Sequence, residues 1–255
     1  MALELVTIPC LTDNYAYLIH DAASGQTAVV DVPDAGPVQA ALAERGWRLS
    51  DILITHHHAD HIQGVDTLRA ATGAMVLGAA ADAHRLPKLD LALTDADSFS
   101  IGAEFARIID VPGHTVGHIA FHFPDSGLAF TADSLMAGGC GRLFEGTPAQ
   151  MWASLSKLAA LPPGTLICSG HEYTASNLRF AATLEPDDPA LILRINEVTA
   201  ARREGRPTVP SLLSDELATN PFLRAGLPQM KMAVGLADAD DAMVFAEIRA
   251  RKDKF

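Results

Sequence analysis

Four histidines and an aspartate lie within seven positions of the segment THHHADH, residues 55–61, directly after an apolar run at 52–54. In an extended segment, side chains two positions apart point to the same side, so His56 and His58 should face one way and His57 the other. Asp60 and His61 follow at the turn into a helix, whose first residues can face the same pocket. The segment therefore predicts a cluster of imidazole and carboxylate groups at the end of a buried strand, a common location for sites in α/β proteins.

Further candidate ligands follow strands later in the chain. His114 lies in PGHT, Asp133 ends LAFTAD and His171 ends TLICSGH. Five histidines and two carboxylates, with no cysteine, form a ligand set that suits zinc, iron or manganese. One tetrahedral ion could not use them all, so we expect two metal ions. The seven candidate metal ligands are His56, His58, Asp60, His61, His114, Asp133 and His171.

The elements that must position these residues change in character along the chain. Short β-rich runs fill the first two thirds, with helical patterns at 36–46, 60–72 and 148–160, the last with Thr147 as N-cap and Pro148 in its first turn. From about Tyr173, helix-like segments at 174–184, 188–204 and 239–251 follow without a convincing strand. The link between 205 and 238 is rich in Pro and Gly, with one short helical piece near 214–218. We therefore expect a mixed α/β domain at 1–172 and a helical C-terminal domain at 173–255.

Composition narrows the classes of function. The chain has 255 residues, is 49% hydrophobic and carries a formal net charge of −12, which argues against nucleic acid or a membrane as a partner. No signal-like N-terminus or membrane-length apolar run is found, so we expect a soluble, cytoplasmic protein. We also expect it to act as a monomer. Cys10, Cys140 and Cys168 are widely spaced, which favours buried, reduced thiols over disulfides.

The motifs resemble those of the metallo-β-lactamase superfamily, and in their fuller details the glyoxalase II, or hydroxyacylglutathione hydrolase, branch. The pattern HxHxDH with a distant His, Asp and His assigns only the superfamily. The branch is indicated by IPCLTDNYAYLI, VPGHTVGH, CGRLFEGT, GHEYTASN and the tail RARKDKF. The resemblance covers nearly the whole chain and implies an αββα sandwich, of class α/β (α+β), with a dinuclear metal site at its edge.

The same resemblance implies a role for each ligand. His56, His58 and His114 would hold one metal, Asp60, His61 and His171 the other, and Asp133 would bridge them. Two cations about 3.5–4 Å apart can share a water and lower its pKa, so the nucleophile would be metal-bound hydroxide, with Asp60 and Asp133 contributing electrostatically. A thioester suits such a site because thiolate leaves without a strong general acid. The expected reaction is hydrolysis of S-D-lactoylglutathione to glutathione and D-lactate, the second step of methylglyoxal detoxification, with zinc as the expected metal and iron or manganese as alternatives.

The resemblance also implies contacts with the glutathione part of the substrate. By position in the family motifs these are Arg142, Phe144, Tyr173, Asn177, Arg249 and Lys252. Two positions depart from the family pattern, since Arg142 stands where Lys is usual and Phe144 where Tyr is usual. Arginine keeps the charge in a different geometry, whereas phenylalanine loses a hydroxyl that could bind the ligand.

Several alternatives remain open from the sequence. A persulfide dioxygenase with a single iron also has HxHxDH, but its Asp60 and His61 would not bind metal. Another thioesterase of the same fold, a metallo-β-lactamase, and a non-catalytic metal- or thiol-binding protein are further possibilities. The basic C-terminal tail and the complete ligand set favour glyoxalase II over these, and the acidic charge argues against a nucleic-acid-processing member.

Overall fold

The structure is a computed structural model that describes residues 2–95 and 97–255. It divides into two compact units. Unit 1 comprises Met1–Asp110 and Gly117–Ala132, and unit 2 comprises Val111–Val116 and Asp133–Phe255.

Unit 1 contains most of the β-structure. Strands β1 to β6 form a sheet in chain order, and they are Glu4–Cys10, Asn14–His20, Thr27–Val30, Asp51–Leu53, Met75–Ala79 and Leu91–Leu93. The first three are antiparallel, whereas β3 to β6 run parallel. Strands β7 to β10 pair antiparallel with their neighbours, and they are Ser98–Ile101, Glu104–Asp110, Ile119–Phe123 and Leu128–Ala132.

The helices of unit 1 pack against the first sheet. They are α1 (Ala35–Arg45), α2 (Ala59–Ile62) and α3 (Val65–Thr72), followed by a 3-10 turn at Ala80–Asp82. Val38 and Leu68 join Val29 and Ile52 of the sheet in one apolar cluster. Because β3 and β4 are parallel and buried, the segments that leave their carboxyl ends, residues 31–32 and 54–58, lie side by side, and the backbone N–H of Asp31 donates to Leu53 O at 2.9 Å.

Unit 2 is mainly helical. Its helices are α4 (Pro148–Ala159), α5 (Thr174–Leu184), α6 (Pro189–Arg203), α7 (Leu213–Thr219), α8 (Pro228–Val234) and α9 (Asp241–Lys254). Two short antiparallel pairs accompany them, β11 (Leu135–Met136) with β12 (Gly139–Cys140) and β13 (Leu166–Ser169) with β14 (Ser211–Leu212). Helix α4 begins as predicted, with a capping box between Thr147 and Gln150 and with Pro148 in its first turn.

Two sequence predictions about helices were wrong. The single helix predicted at 60–72 is interrupted, since α2 ends at Ile62 and α3 begins at Val65. A Cβ added at Gly64 would lie 2.7 Å from Ala35 N and 2.9 Å from Val32 O, so the chain approaches this backbone too closely for a side chain there. In the region 205–238, the short helical piece predicted near 214–218 is present as α7, but the prediction missed a second helix, α8. The boundary at 172/173 stays a prediction.

The three cysteines are buried and form no disulfide, as the sequence predicted. Burial raises the thiol pKa of Cys10 and of Cys140 to about 11 in each case, and it also raises the pKa of Cys168. Among the described residues, none of the helices has the length and apolar character required to cross a membrane.

Candidate metal centre and substrate-binding residues

The histidine segment of unit 1 leaves the carboxyl end of β4 and enters α2. His56 and His61 are fully buried, with their ring centroids 4.2 Å apart, and the ring centroid of His58 lies 4.8 Å from that of His56. Asp60 lies in the first turn of α2, where Asn14 Nδ2 is 3.1 Å from its Oδ2 and 3.1 Å from its backbone oxygen. The structure thus brings the four predicted ligands of this segment together.

A buried carboxylate after β3, Asp31, orients two of these imidazoles. Its Oδ2 accepts from His61 Nδ1 at 2.7 Å and from the Thr55 hydroxyl at 2.8 Å. Since that hydroxyl donates to Asp31, its oxygen is the acceptor for His56 Nδ1 at 3.0 Å. Both imidazoles are then Nδ1–H tautomers, and Nε2 is the nitrogen that could coordinate a cation.

The same carboxylate belongs to one compact group of potential ligands. One ligand atom each of Asp31, His56 and His61 lies within 4.8 Å of the others. Asp31 also holds the Thr55 backbone N–H at 2.9 Å and adopts φ +56°, a left-handed conformation that aspartate tolerates better than most residues. The sequence motifs do not include Asp31, although an aspartate directly after the apolar part of TAVVDV was an available signal.

His57 points to a different set of partners, as its alternation with His56 and His58 predicts. Its Nδ1 lies 3.2 Å from Asp82 Oδ2, and the same buried carboxylate binds Arg85 Nη2 at 2.6 Å. A Cβ added at Gly117 would lie 2.1 Å from Asp82 Cγ, so the chain passes directly against this carboxylate. His57 thus binds a buried carboxylate through Nδ1, and its role as an orienting residue stays a prediction. His118 stacks on His56 with ring centroids 4.7 Å apart.

In unit 2, Asp133 faces two of the predicted ligands. Its Oδ2 lies 3.5 Å from His114 Nε2 and 3.3 Å from His171 Nε2, and all three side chains are buried. The other ring nitrogen of His114, Nδ1, lies 2.7 Å from the backbone oxygen of Arg142 and donates to it. His114 is therefore also an Nδ1–H tautomer that presents Nε2.

A glycine makes this arrangement possible. The backbone N–H of Gly141 donates to Asp133 O at 3.0 Å. A Cβ at position 141 would lie 2.1 Å from that oxygen and 2.8 Å from His114 Nδ1. No larger residue fits between the two candidate ligands without displacing them.

Two predicted substrate residues of unit 2 are buried and bound to backbone oxygens. Asn177 Nδ2 donates to Ala137 O at 3.0 Å. Arg249 donates to Cys140 O at 3.0 Å, pairs with Asp253 at 2.8 Å and lies over the ring of Phe222. Their exposed fractions are only 6% and 5%, so a ligand would meet at most a small part of either side chain.

Lys252 lies half-buried next to these residues. Its Nζ is 5.3 Å from the ring centroid of Phe180 and 5.1 Å from that of Phe255, and it donates to Ser176 O at 3.2 Å. Burial, reinforced by the positive charge of Arg249, Arg179 and Arg142, lowers the pKa of Lys252 to about 8. This lysine is a cation whose charge can be lost just above neutral pH.

The remaining predicted substrate residues are exposed. Tyr173 is 39% exposed and stacks on His171 with ring centroids 4.7 Å apart, and Phe144 is 64% exposed with its ring 5.3 Å from that of His114. Arg142 is also exposed, with Nε 4.0 Å from Asp253. Two exposed aromatic rings and the exposed residue Arg142 thus lie next to candidate ligands of unit 2.

The side chains of these clusters have the donor atoms that a divalent metal ion prefers. Imidazoles with one tautomer fixed, buried carboxylates and no thiolate suit zinc, iron or manganese, and the oxygen acceptors at Nδ1 are the partners that metal-binding histidines usually have. The clusters in each unit are therefore compatible with a divalent metal site, as the sequence predicted.

Two sequence-family models match successive parts of the chain. The one described as Metallo-beta-lactamase superfamily covers residues 12–171, and the one described as Hydroxyacylglutathione hydrolase C-terminus covers residues 172–255. A protein named hydroxyacylglutathione hydrolase from Cereibacter sphaeroides (strain ATCC 17025) is 72% identical over 255 residues, which is 100% of each chain. The chain belongs to the hydroxyacylglutathione hydrolase family. A relative of the same name from Jannaschia sp. is 64% identical over 99% of this chain and 98% of its own.

Solved structures agree on the fold. A BLEG-1 B3 metallo-beta-lactamase has a TM-score of 0.67 at 21% identity, covering 86% of this chain and 99% of its own. ETHE1 from Myxococcus xanthus has a TM-score of 0.64 at 24% identity, covering 99% of this chain and 98% of its own. The family members and these structures confirm the predicted family, the metallo-β-lactamase fold with a helical C-terminal region, and the hydrolase class.

Proposed function

We propose that this protein hydrolyses S-(2-hydroxyacyl)glutathione thioesters, first of all S-D-lactoylglutathione, to glutathione and a 2-hydroxy acid such as D-lactate. This would be the second step of methylglyoxal detoxification. The name shared by relatives that match over the full chain supports the proposal. The persulfide dioxygenase alternative is not favoured by them.

The proposed cofactor is a pair of divalent ions, with zinc expected and iron or manganese as alternatives. His56, His58 and His114 would hold one ion, and Asp60, His61 and His171 the other, with Asp133 between them. The observation that carries this assignment is the shared orientation of His56, His61 and His114, each of which has an oxygen atom at Nδ1 within 3.0 Å. Three imidazoles fixed in the same tautomer are prepared for coordination through Nε2.

When bound, such ions would polarise the thioester carbonyl and lower the pKa of a water to near neutrality. The residues of the chain would contribute by orienting the histidines that hold the ions. Asp31 holds the proton of His61 on Nδ1 directly, Thr55 does so for His56, and the Arg142 carbonyl does so for His114, which leaves Nε2 of each ring for a metal. The leaving thiolate is stable near neutral pH, so the reaction needs no strong general acid at this site.

The proposed substrate residues are Arg142, Phe144, Tyr173, Asn177, Arg249 and Lys252. Glutathione is anionic, and the cations among these residues supply a local positive region in a chain of net charge −12. Tyr173 and Phe144 offer exposed rings against which the peptide can pack. We further propose that the protein works as a monomer in the cytoplasm.

The test is release of thiol from S-D-lactoylglutathione by the purified protein, before and after metal removal by a chelator. We expect turnover that is lost on chelation and returns with zinc, together with two metal ions per chain. Hydrolysis unaffected by chelation would contradict the metal assignment. A protein that holds two metals without releasing thiol would show that the substrate is different, and one iron with persulfide oxidation would support the alternative enzyme.

A further inference from the structure

A short hairpin of unit 2, residues 133–142, begins at one predicted metal ligand and contacts another. It contains β11 and β12, and its base is closed by the Gly141 N–H, which donates to Asp133 O at 3.0 Å. Asp133 begins the hairpin. At the other end, the backbone oxygen of Arg142 accepts from His114 Nδ1 at 2.7 Å. A shift of the hairpin would therefore move Asp133 and turn His114.

The tip of this hairpin is held by two buried side chains of α7 and the residue after it. Asn220 Nδ2 lies 3.2 Å from Met136 O and 2.9 Å from Gly139 O. The Gly138 N–H donates to Glu216 Oε2 at 2.7 Å, and Asn220 Nδ2 lies 3.0 Å from the same oxygen. Both Glu216 and Asn220 are fully buried.

Glu216 is fixed in turn by two further partners, Ser211 and Arg194. Its Oε1 accepts from Ser211 Oγ at 2.7 Å and pairs with Arg194. A buried carboxylate that is bound on both oxygens has little freedom to rotate, because any other position would leave a charge without partners. The helical region thus presents a rigid carboxylate and amide to the tip.

The tip itself has little room to rearrange. Gly138 has φ +67°, and a Cβ there would lie 2.8 Å from Leu178 Cδ2. Asn177 holds the neighbouring Ala137 O at 3.0 Å, and Arg249 holds Cys140 O at 3.0 Å. Each of the five residues 136–140 therefore has a backbone group that is bound to a buried side chain.

From this geometry we propose that Glu216 and Asn220 are positioning residues of the metal site. They act through the hairpin, holding its tip so that Asp133 and the carbonyl that orients His114 are in place before a metal arrives. The inference rests on the metal site proposed above, but not on the identity of the substrate. Neither Glu216 nor Asn220 would touch a metal, and both would affect metal binding through the hairpin.

The first test measures the metal affinity of Asn220→Ala by competition with a chromophoric chelator, using zinc. Loss of a residue that orients metal ligands typically weakens binding about 10–100-fold, and we expect a loss in that range. Val198→Ala is the matched control, because it removes apolar volume from a buried cluster of the helical region and none of the hydrogen bonds of Glu216, Asn220 or the hairpin. We expect it to lose stability while its zinc affinity stays within about threefold of the wild type.

Equal zinc affinity in Asn220→Ala and wild type would overturn the proposal, and so would an equal loss in both variants, since that would reflect general destabilisation. If Asn220→Ala does not fold, zinc affinity is measured for Glu216→Gln instead. This variant keeps the size of the side chain but replaces one carboxylate oxygen with an amide NH2, which cannot accept the hydrogen bonds that Glu216 accepts. Thiol release from S-D-lactoylglutathione is recorded separately. Weakened zinc binding in a protein without that activity would support the positioning role and count only against the proposed substrate.

A second test needs no variant. In the metal-free wild-type protein, the amide hydrogen of Gly138 should exchange as slowly as those of the surrounding helices, since side chains and not metal hold the tip. Fast exchange of this amide in the metal-free protein, slowed only by zinc, would show that the metal organises the hairpin and would overturn the proposal.

Discussion

At the scale of single residues, the arrangement of oxygen atoms around the imidazoles is as informative as the imidazoles themselves. The spacing in THHHADH predicts which side chains cluster, and the four of this segment do lie together in unit 1. It cannot predict the oxygen acceptors, because Asp31 and the Arg142 carbonyl come from distant parts of the chain. Spacing reports the direction of a side chain along its own strand, whereas a tautomer is set by whatever packs against it.

Phe144 provides a direct test of the substrate assignment. It is exposed and lies where the family usually has tyrosine, so Phe144→Tyr restores a hydroxyl that can bind glutathione. We expect KM for S-D-lactoylglutathione to fall about fivefold, the equivalent of one hydrogen bond worth about 1 kcal/mol. Steady-state kinetics measures it, with Phe105→Tyr as control because Phe105 is equally exposed, at 65%. An unchanged KM in Phe144→Tyr would show that the ligand does not reach this ring.

Lys252 predicts a pH dependence of binding. Its pKa is lowered to about 8, so it is a cation below that pH and loses its charge as the pH rises through it. KM for the anionic substrate should therefore rise between pH 7 and 9, while kcat changes less. Lys252→Arg should flatten the profile of KM, because guanidinium remains protonated throughout this range. Identical profiles for the two proteins would exclude Lys252 from substrate binding.

At the scale of elements, patterns in the chain predict the regular pieces well and their interruptions poorly. The β-rich runs correctly indicate β2 to β5, β8 to β10 and β13; these runs are 16–20, 27–32, 51–56, 74–79, 105–112, 118–124, 128–133 and 165–171. Thr147 correctly marks the start of α4. Strand β1 was missed because it is half-exposed and contains Pro9, which weakens its strand signal. The break between α2 and α3 was missed because its cause is contact with residues 32–35, which periodicity cannot show.

That break leads to a prediction about Gly64. Gly64→Ala should lower the free energy of unfolding by about 1–3 kcal/mol, since the added carbon meets backbone atoms that cannot move aside. Chemical denaturation of the metal-free protein measures it. Gly164→Ala is the control, because its Cβ would meet nothing within 4 Å and its φ is ordinary, and we expect it to be neutral or slightly stabilising. Similar losses in both variants would contradict the steric explanation.

At the scale of the whole molecule, the folded state favours the neutral form of a histidine in β9, His122. Both ring nitrogens of His122 are buried without a hydrogen-bond partner among the described residues. Burial, with a smaller effect of the Arg107 charge and an opposing one of Glu104, lowers the pKa of His122 from 6.5. Below about pH 6.5 the unfolded chain binds a proton that the folded chain resists, so stability is present above this pH and is lost as the pH falls.

The prediction is that His122→Leu makes the unfolding free energy of the metal-free protein depend less steeply on pH between 7 and 5. Denaturation curves at several pH values measure the slope, and metal-free protein is used so that ligand protonation does not contribute through metal loss. His84→Gln, at an exposed position, is the control and should leave the slope as it is in the wild type. A slope that is unchanged in His122→Leu would refute the role given to this residue.

The prediction of the family needed no geometry, because the motifs are enough to indicate it. The roles of Glu216 and Asn220 could not be read in the same way. Their partners are backbone atoms some 80 positions earlier, at Gly138, Met136 and Gly139, and backbone atoms leave no trace in a residue pattern. Contacts between a side chain and a distant main chain are visible only in the folded protein.

The buried cysteines have a consequence for an enzyme that would release glutathione at every turnover. A thiol exchanges with a disulfide only as thiolate, and the thiols of Cys10 and Cys140 keep their protons up to about pH 11 in a buried environment. Oxidised glutathione accumulating around the protein would therefore find no reactive sulfur on these two residues. The chain should remain free of glutathione adducts under oxidative stress, so its capacity to clear thioesters would persist when the thiol pool is most oxidised.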